Sequence, residues 1–207
     1  MKPGFEHLFT RRALIAAIPA ALLARSPAAA APEPIGQALD VRGKVVARRT
    51  EAVRNLKAGA ALMLKDSVET QAKSFAKLEL AGRTTVHLGS RARLLISRYL
   101  AETGGVLELG EGAMLLDRAD SLPKIDLTIR SQFGLIAVRG TRFFAGPSRG
   151  VFGVFVARGA VEVRAAGQRR RLAAGEGLDI KSPGQPPGKV AKWKQARIDE
   201  ALASVGL

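Results

Sequence analysis

Between Ala38 and Ile180 the chain runs in short stretches of alternating apolar and polar residues, and glycine breaks almost every stretch. KIDLTIRS puts Ile125, Leu127 and Ile129 on one side and Asp126, Thr128 and Arg130 on the other; AKLELAG does the same with Leu78 and Leu80, and VEVRA with Val161 and Val163. A period of two over about four to eight residues is that of a strand with one buried face. VFGVFVARG at 151–159 is apolar on both sides and reads as a central strand covered on both faces. Turn signals recur at Ala81-Gly82-Arg83, Thr103-Gly104-Gly105, Gly110-Glu111-Gly112, Pro147 to Gly150, Arg158-Gly159, Ala166-Gly167 and Gly175-Glu176-Gly177. No helical pattern of about ten residues separates them, which disfavours parallel strands joined by helices. The expected fold is all-β, with many short antiparallel strands in a sandwich, barrel or solenoid.

The first 30 residues stand apart. A polar, basic segment ends in Arg11-Arg12, an apolar core follows at 13–24, and after Arg25 comes the small-residue tract SPAAAAP with Ala28-x-Ala30 as a cleavage site. This is the three-part plan of an export signal, and its core is too short for a permanent membrane span. TRRALI resembles a twin-arginine (Tat) signal, with an ordinary Sec signal as the alternative. Loss of residues 1–30 removes Lys2, Arg11, Arg12, Arg25 and Glu6, so 29 of 33 basic and 17 of 18 acidic residues remain, a net +12. The expected product is a periplasmic protein without a transmembrane anchor. The chain contains no cysteine, which excludes disulfides, thiol chemistry and thiolate metal sites.

The organisation that follows is an export signal at 1–30, an N-terminal linker at 31–40, a β domain at 41–180, a Pro/Gly linker at 181–188 and a C-terminal segment at 189–207. KSPGQPPG at 181–188 cannot continue a strand, because proline fixes φ and lacks a donor. Val190, Trp193, Ala201, Leu202 and Val205 fall at helical spacings, so 189–207 reads as a short amphipathic helix. Its Trp193 packs back on the β domain, or the helix docks a partner.

VLELGEGAMLL, VFVARGAVEVR and RLAAGEGLDI resemble one another: an apolar strand, a glycine where the chain turns, and a second alternating run. Such glycines suit positive φ, as in tight hairpin connections. At this level the chain resembles the FecR domain family, the periplasmic sensing domain of regulators such as that of iron–dicitrate uptake. The resemblance runs in order from Leu56-Lys57-Ala58-Gly59-Ala60-Ala61-Leu62 and Asp66-Ser67-Val68-Glu69-Thr70, through Ser74 to Leu80, Val86, Leu88 and Leu107 to Gly110. It continues through VRGTRF at 138–143, then Gly159, Val161 and Val163, and ends at Leu172, Gly175 and Glu176. It implies an all-β domain without cofactor, acting through protein contacts. Regulators of that family usually add a sigma-factor-binding segment, a membrane helix and a C-terminal subdomain; an export signal and one short helix stand here instead, which puts direct anti-sigma activity in doubt.

Within VRGTRF, Gly140 permits a bend or bulge, Thr141 hydrogen-bonds locally, and Val138 and Phe143 point into the core. The alternative is an anion cradle between Arg139 and Arg142, although a lone glycine lacks the glycine-rich run and helix of a phosphate loop. No catalytic set is visible. His87 reads as an exposed strand residue, Ser90 and Ser131 lie in no nucleophile elbow, and Glu108, Glu111, Asp117 and Asp120 read as solvated strand edges. Metal-ligand spacings are absent. The positive charge is the remaining lead: Arg42, Lys44, Arg48 and Arg49; Arg169, Arg170 and Arg171; and Lys189, Lys192, Lys194 and Arg197. Outside the cytoplasm its partners would be an envelope protein, an anionic cell-wall polymer or lipid headgroups; nucleic acid is disfavoured by export and by the scarcity of aromatic residues. The bland reading is that these side chains solvate the surface and block sheet edges.

Overall fold

The structure, a computed structural model, describes Met1, residues 33–81 and residues 83–207. The export signal read at 1–30 lies outside the described residues, as does Gly82. Among the described residues no helix is long and apolar enough to cross a membrane.

Among the described residues eighteen strands follow in order: β1 Gly36–Arg42, β2 Val45–Arg49, β3 Ala52–Asn55, β4 Ala61–Leu62, β5 Ser67–Thr70, β6 Phe75–Leu80, β7 Thr84–Leu88, β8 Arg93–Leu100 and β9 Gly104–Glu111. The second half holds β10 Met114–Asp117, β11 Asp126–Ser131, β12 Gly134–Arg139, β13 Arg142–Ser148, β14 Val151–Arg158, β15 Ala160–Ala165, β16 Gln168–Ala173, β17 Glu176–Ile180 and β18 Ala191–Lys192, then the helix α1 Gln195–Ala203. They form two nine-stranded open sheets, ordered β18-β17-β14-β13-β10-β7-β6-β1-β4 and β16-β15-β12-β11-β9-β8-β5-β2-β3. We call these sheet A and sheet B. Every pairing is antiparallel except β11 with β9. The fold is all-β, and the chain passes back and forth between the sheets, entering them as hairpins except at β1, β4, β5 and β10, which are single strands.

The alternating residues supply the shared interior. Leu78, Leu80, Val86 and Leu88 of sheet A, and Leu94, Ile96, Leu107 and Ile129 of sheet B, are all fully buried. β1 begins at Gly36, so residues 36–40, read as linker, are strand: Ala38 is buried and pairs with Leu78. The period-two pattern of GQALDV is too short to stand out alone, and its partner lies some forty residues downstream.

The repeated strand–glycine–strand units are not hairpins. Gly112 joins β9 of sheet B to β10 of sheet A, Gly159 joins β14 to β15, and Gly175 lies between β16 and β17, so each marks a crossing between sheets. Hairpins turn instead at Arg149-Gly150 and Ala166-Gly167, where both residues have positive φ. VRGTRF is a fourth crossing, with β12 ending at Arg139 and β13 starting at Arg142. At a crossing the chain must leave one sheet and enter the other with its apolar side still facing inward. Gly140 (φ 65°) and Gly159 (φ 83°) provide this in a region of φ that side chains disfavour. Val138 and Phe143 flank the first and Val156 and Val161 the second, all four buried. A β-bulge adjoins them, where the β13–β14 register slips between Arg142 and Phe143.

The two crossings touch. A Cβ on Gly159 would lie 2.6 Å from Thr141 Cγ2 and 3.0 Å from Gly140 O, so the threonine methyl occupies the space that glycine leaves. Thr141 is fully buried, but its hydroxyl has no hydrogen-bond partner, contrary to the local bond expected of it. Its work is done by the methyl group and by its carbonyl, which accepts from Arg118 N at 3.1 Å.

Arg118 anchors the connection 118–125 from inside. Its Nη1 donates to Thr84 Oγ1 at 2.9 Å, and Nε and Nη2 donate to the Pro123 carbonyl at 3.0 and 2.8 Å. The Tyr99 hydroxyl lies 2.8 Å from the same threonine oxygen. A buried arginine joins the two halves of the sandwich end here.

The outer face of sheet A is apolar over β10, β13 and β14, and α1 covers it. Trp193 stacks on Phe155 at 5.2 Å, and Leu115, Phe144, Ala201 and Val205 complete a second small core. Trp193 lies over Gly153 and Gly177, where any side chain would meet the ring. The Arg197 guanidinium sits 3.7 Å from the ring centroid and donates to Asp179 at 2.6 Å. The apolar side of the helix is thus occupied by its own sheet. Within 189–207 only Gln195–Ala203 is α-helix, because Ala191–Lys192 pair with β17 as β18.

The crossing makes two predictions about stability. Gly175 has φ 83° and open space around a would-be Cβ, so Gly175→Ala should lose only the left-handed strain, about 1–2 kcal/mol. Gly159→Ala adds the collision with Thr141 and should lose about 3 kcal/mol or more. Equal urea midpoints for the two variants would refute the packing argument. Thr141→Val keeps the shape and sheds an unpaired hydroxyl, so its stability should stay within about 1 kcal/mol of the parent. Thr141→Ser removes the methyl and should lose about 1 kcal/mol; the opposite order in thermal melts would assign the role to the hydroxyl.

Candidate binding surface

Among the described residues no helix covers the outer face of sheet B. On it, β16 is the edge strand, and its burial pattern leaves Gln168, Arg169, Arg170 and Arg171 exposed and only Leu172 buried. Because side chains alternate, Arg169 and Arg171 project on the outer face, while Arg170 lies on the other side with Gln168, whose Oε1 accepts from it at 2.9 Å. Register carries the row inward: Arg169 lies opposite Arg164 on β15, Arg164 opposite Leu135 on β12, and Leu135 opposite Arg130 on β11. One row further along, Arg171 faces Glu162, and in the row beyond that Arg139 faces Asp126.

Five arginines therefore share one quadrant of the sheet with two carboxylates, Glu162 and Asp126, and a third, Glu108, lies opposite Arg130 at its inner border. The first two are engaged, Glu162 by Arg164 and Asp126 by Arg139 at 3.7 Å. Arg130, Arg169, Arg170 and Arg171 make no ion pair among the described residues. An open groove of about 630 Å³ runs along this quadrant; its charged lining is Lys124, Arg139 and Arg171 with Asp120 and Glu162, and Gly140 and Gly159 form part of its floor. The chemistry on offer is multidentate recognition of carboxylate or phosphate by guanidinium groups.

The other basic groups are not part of it. Arg42 pairs with Asp40, Arg48 with Glu69, and Arg197 is held over Trp193. The two arginines of VRGTRF diverge: Arg139 extends on the outer face of sheet B, whereas Arg142 lies on sheet A and donates to Asp117 at 3.2 Å. They do not converge on one anion, and the cradle between them is excluded by the crossing itself. Asp117 is held from the other side by Arg158 at 2.9 Å, and Asp120 lies 3.0 Å from Arg158 Nε.

The remaining candidates have structural partners. Glu108 accepts from Ser97 and Glu111 from Arg93, away from Asp117 and Asp120, so the four carboxylates form no paired site. His87 is half-buried, not exposed, because β7 places it between Lys77 and Leu115 on the outer face of sheet A. Burial, then the positive charges of Lys77 and Arg142, hold its imidazole below the usual range, so it is neutral at pH 7. Ser90 Oγ accepts from Lys73 N, and Ser131 Oγ from Phe133 N. Among the described residues no three His, Asp or Glu side chains gather as a metal site.

Arg130 and Arg164 belong to the basic quadrant but do not stand out in the sequence, where each is an ordinary polar position of an alternating run. The Arg169–Arg171 triplet is visible as a run; the row through Arg164 and Arg130 needs the register.

Comparison with known proteins bears on the same segment. No curated protein matches the chain. Two crystal structures of a proposed anti-sigma factor from Parabacteroides distasonis align with it at TM-scores of 0.48 and 0.49 and at 20% and 18% identity. Each alignment covers 62% of this chain and 59% of the other, so the chain spans about three-fifths of their length. Residues 66–162 match the family described as FecR protein, a stretch that begins at the buried Asp66 and ends at Glu162 of the basic quadrant. That stretch contains VRGTRF and both touching crossings, and over it the chain is similar to the FecR family.

Proposed function

We propose that the chain is a non-enzymatic FecR-type binding and sensory module, exported to the periplasm, that acts through protein–protein contact in the cell envelope. The FecR match over 66–162 carries this reading. The placement of the polar groups supports it: buried ones anchor connections, as Arg118 does, and Arg130, Arg169 and Arg171, without an ion pair among the described residues, lie outward on sheet B. On the same reading residues 1–30 are the export signal and 41–180, with the strand at 36–40, the binding body; 181–188 links it to the segment 189–207. The test is chemical cross-linking in intact cells, followed by affinity capture of the mature protein from the envelope fraction. A mature N-terminus near Ala31 and a protein retained in defined stoichiometry are expected; a product that stays cytoplasmic, or that retains no protein, would overturn it.

A second reading, favoured by the unpaired Arg169, Arg170 and Arg171, is an envelope scaffold that binds anionic cell-wall polymer or lipid headgroups. Exposed charge pairs are screened over about 10 Å at 0.1 M salt, so sedimentation with cell-wall or anionic lipid preparations should fall steeply with salt. Changing all three arginines to glutamine should weaken it further without altering the melting temperature. Retention that ignores both changes removes this reading.

A further inference from the structure

The two sheets end in four edges of unequal character. β18 and β4 are two residues long, β3 is four, and β16 is six. Short edges offer little for another chain to pair with, and charged side chains discourage it. The one long edge is also the one that bears three consecutive arginines.

Its backbone groups are available. β15 and β16 are joined by the two-residue turn Ala166-Gly167, so Ala165 and Gln168 form a hydrogen-bonded pair, and the pairs alternate from there. The N–H and C=O of Arg169 and Arg171 consequently point away from β15 to the open side. The Arg169 carbonyl is met there only by the Arg170 guanidinium of its own strand, at 2.9 Å, and that side chain is exposed and free to move aside.

We propose that β16 is a docking edge which takes an acidic, extended segment of a partner protein as a tenth strand of sheet B. The inference rests on the protein-contact reading above and names the surface and the partner's chemistry. A second copy of this chain does not fit, since β16 against β16 sets arginine beside arginine. A strand with carboxylates on both faces does fit, because Arg169 and Arg171 project to one side and Arg170 to the other. Main-chain bonds to Arg169 and Arg171 would fix the segment, and the guanidinium groups would select it.

The probe is a capped, fluorescent octapeptide of valine and glutamate, titrated into the full chain at low ionic strength. Three comparisons accompany it: the same peptide N-methylated at alternate backbone nitrogens, its lysine counterpart, and the Arg169→Glu/Arg170→Glu/Arg171→Glu protein. We expect saturable binding by the first, with slowed amide exchange at Arg169 and Arg171, and weakening by at least about tenfold in every comparison. Trp193 fluorescence confirms that the variant remains folded. An N-methylated peptide that binds as well as its parent overturns strand addition in favour of simple polyanion attraction; absent binding, or protection elsewhere, also overturns it. If the charge-reversed protein still cross-links its envelope partner, the edge is wrong and the protein-contact reading stands. If the parent captures no partner, that reading fails whatever the peptide does.

Discussion

A backbone with a side-chain period of two can feed two facing sheets only if its apolar side remains inward at every passage between them. Here that condition is met by glycines at positive φ, and the crossings at Gly140 and Gly159 show how tightly it binds the fold. The pairs Val138/Phe143 and Val156/Val161 enter the same interior from opposite sheets. Thr141 fills the space above Gly159, so neither crossing has room to change without the other. The β13–β14 bulge and the alignment of β12 with β15 are set by the same corner. A slip by one residue in either strand would turn its whole apolar set outward.

The two outer faces then acquire different fates. Across sheet A one row reads Phe155, Phe144, Leu115, His87, Lys77 and Asp40, apolar for its first three positions and polar after. Trp193 and α1 cover that first half and stop where the row turns polar. Across sheet B the corresponding row begins Arg169, Arg164, Leu135, Arg130 and Glu108. Such a row has no need of a helix above it and gains nothing from one. Among the described residues the one helix goes where apolar surface demands cover and leaves the basic face free.

Strand content was legible because alternation is local, and KIDLTIRS announces β11 without help from the rest of the chain. The Trp193 contact was legible too, since an apolar helical spacing needs a surface to meet. The function of the glycines was not: positive φ serves a hairpin at Gly167 and a crossing at Gly159 equally well, and only the partner strands tell them apart. The basic quadrant was legible only as the Arg169–Arg171 run, since Arg164 and Arg130 join it through register. Arg118 was invisible for a different reason. An arginine after an apolar run reads as surface, yet the Thr84 hydroxyl, distant in sequence, and the carbonyl of nearby Pro123 make a buried place for it. The family resemblance was readable because it depends on the order of many weak motifs, each local.

Charge on the two faces obeys different rules. On sheet A the cations beside Asp117 are matched, with Arg142 and Arg158 sharing one carboxylate across the crossing. On sheet B, Arg164 and Arg169 lie directly opposite each other on neighbouring strands, which are about 5 Å apart. Like charges in that relation destabilise a sheet slightly, and solvent screening keeps the effect small because both are exposed. Folding therefore supplies no reason for the row, and the nearest carboxylate, Glu162, is already held by Arg164. A single lysine or arginine is enough to discourage edge pairing, whereas three in succession beside a fourth concentrate a potential that acts on whatever approaches. On the proposal of strand addition an acidic counterpart outside this chain would account for the arrangement, and β16, with outward main-chain groups between its guanidinium groups, would offer it both charge and backbone to pair with.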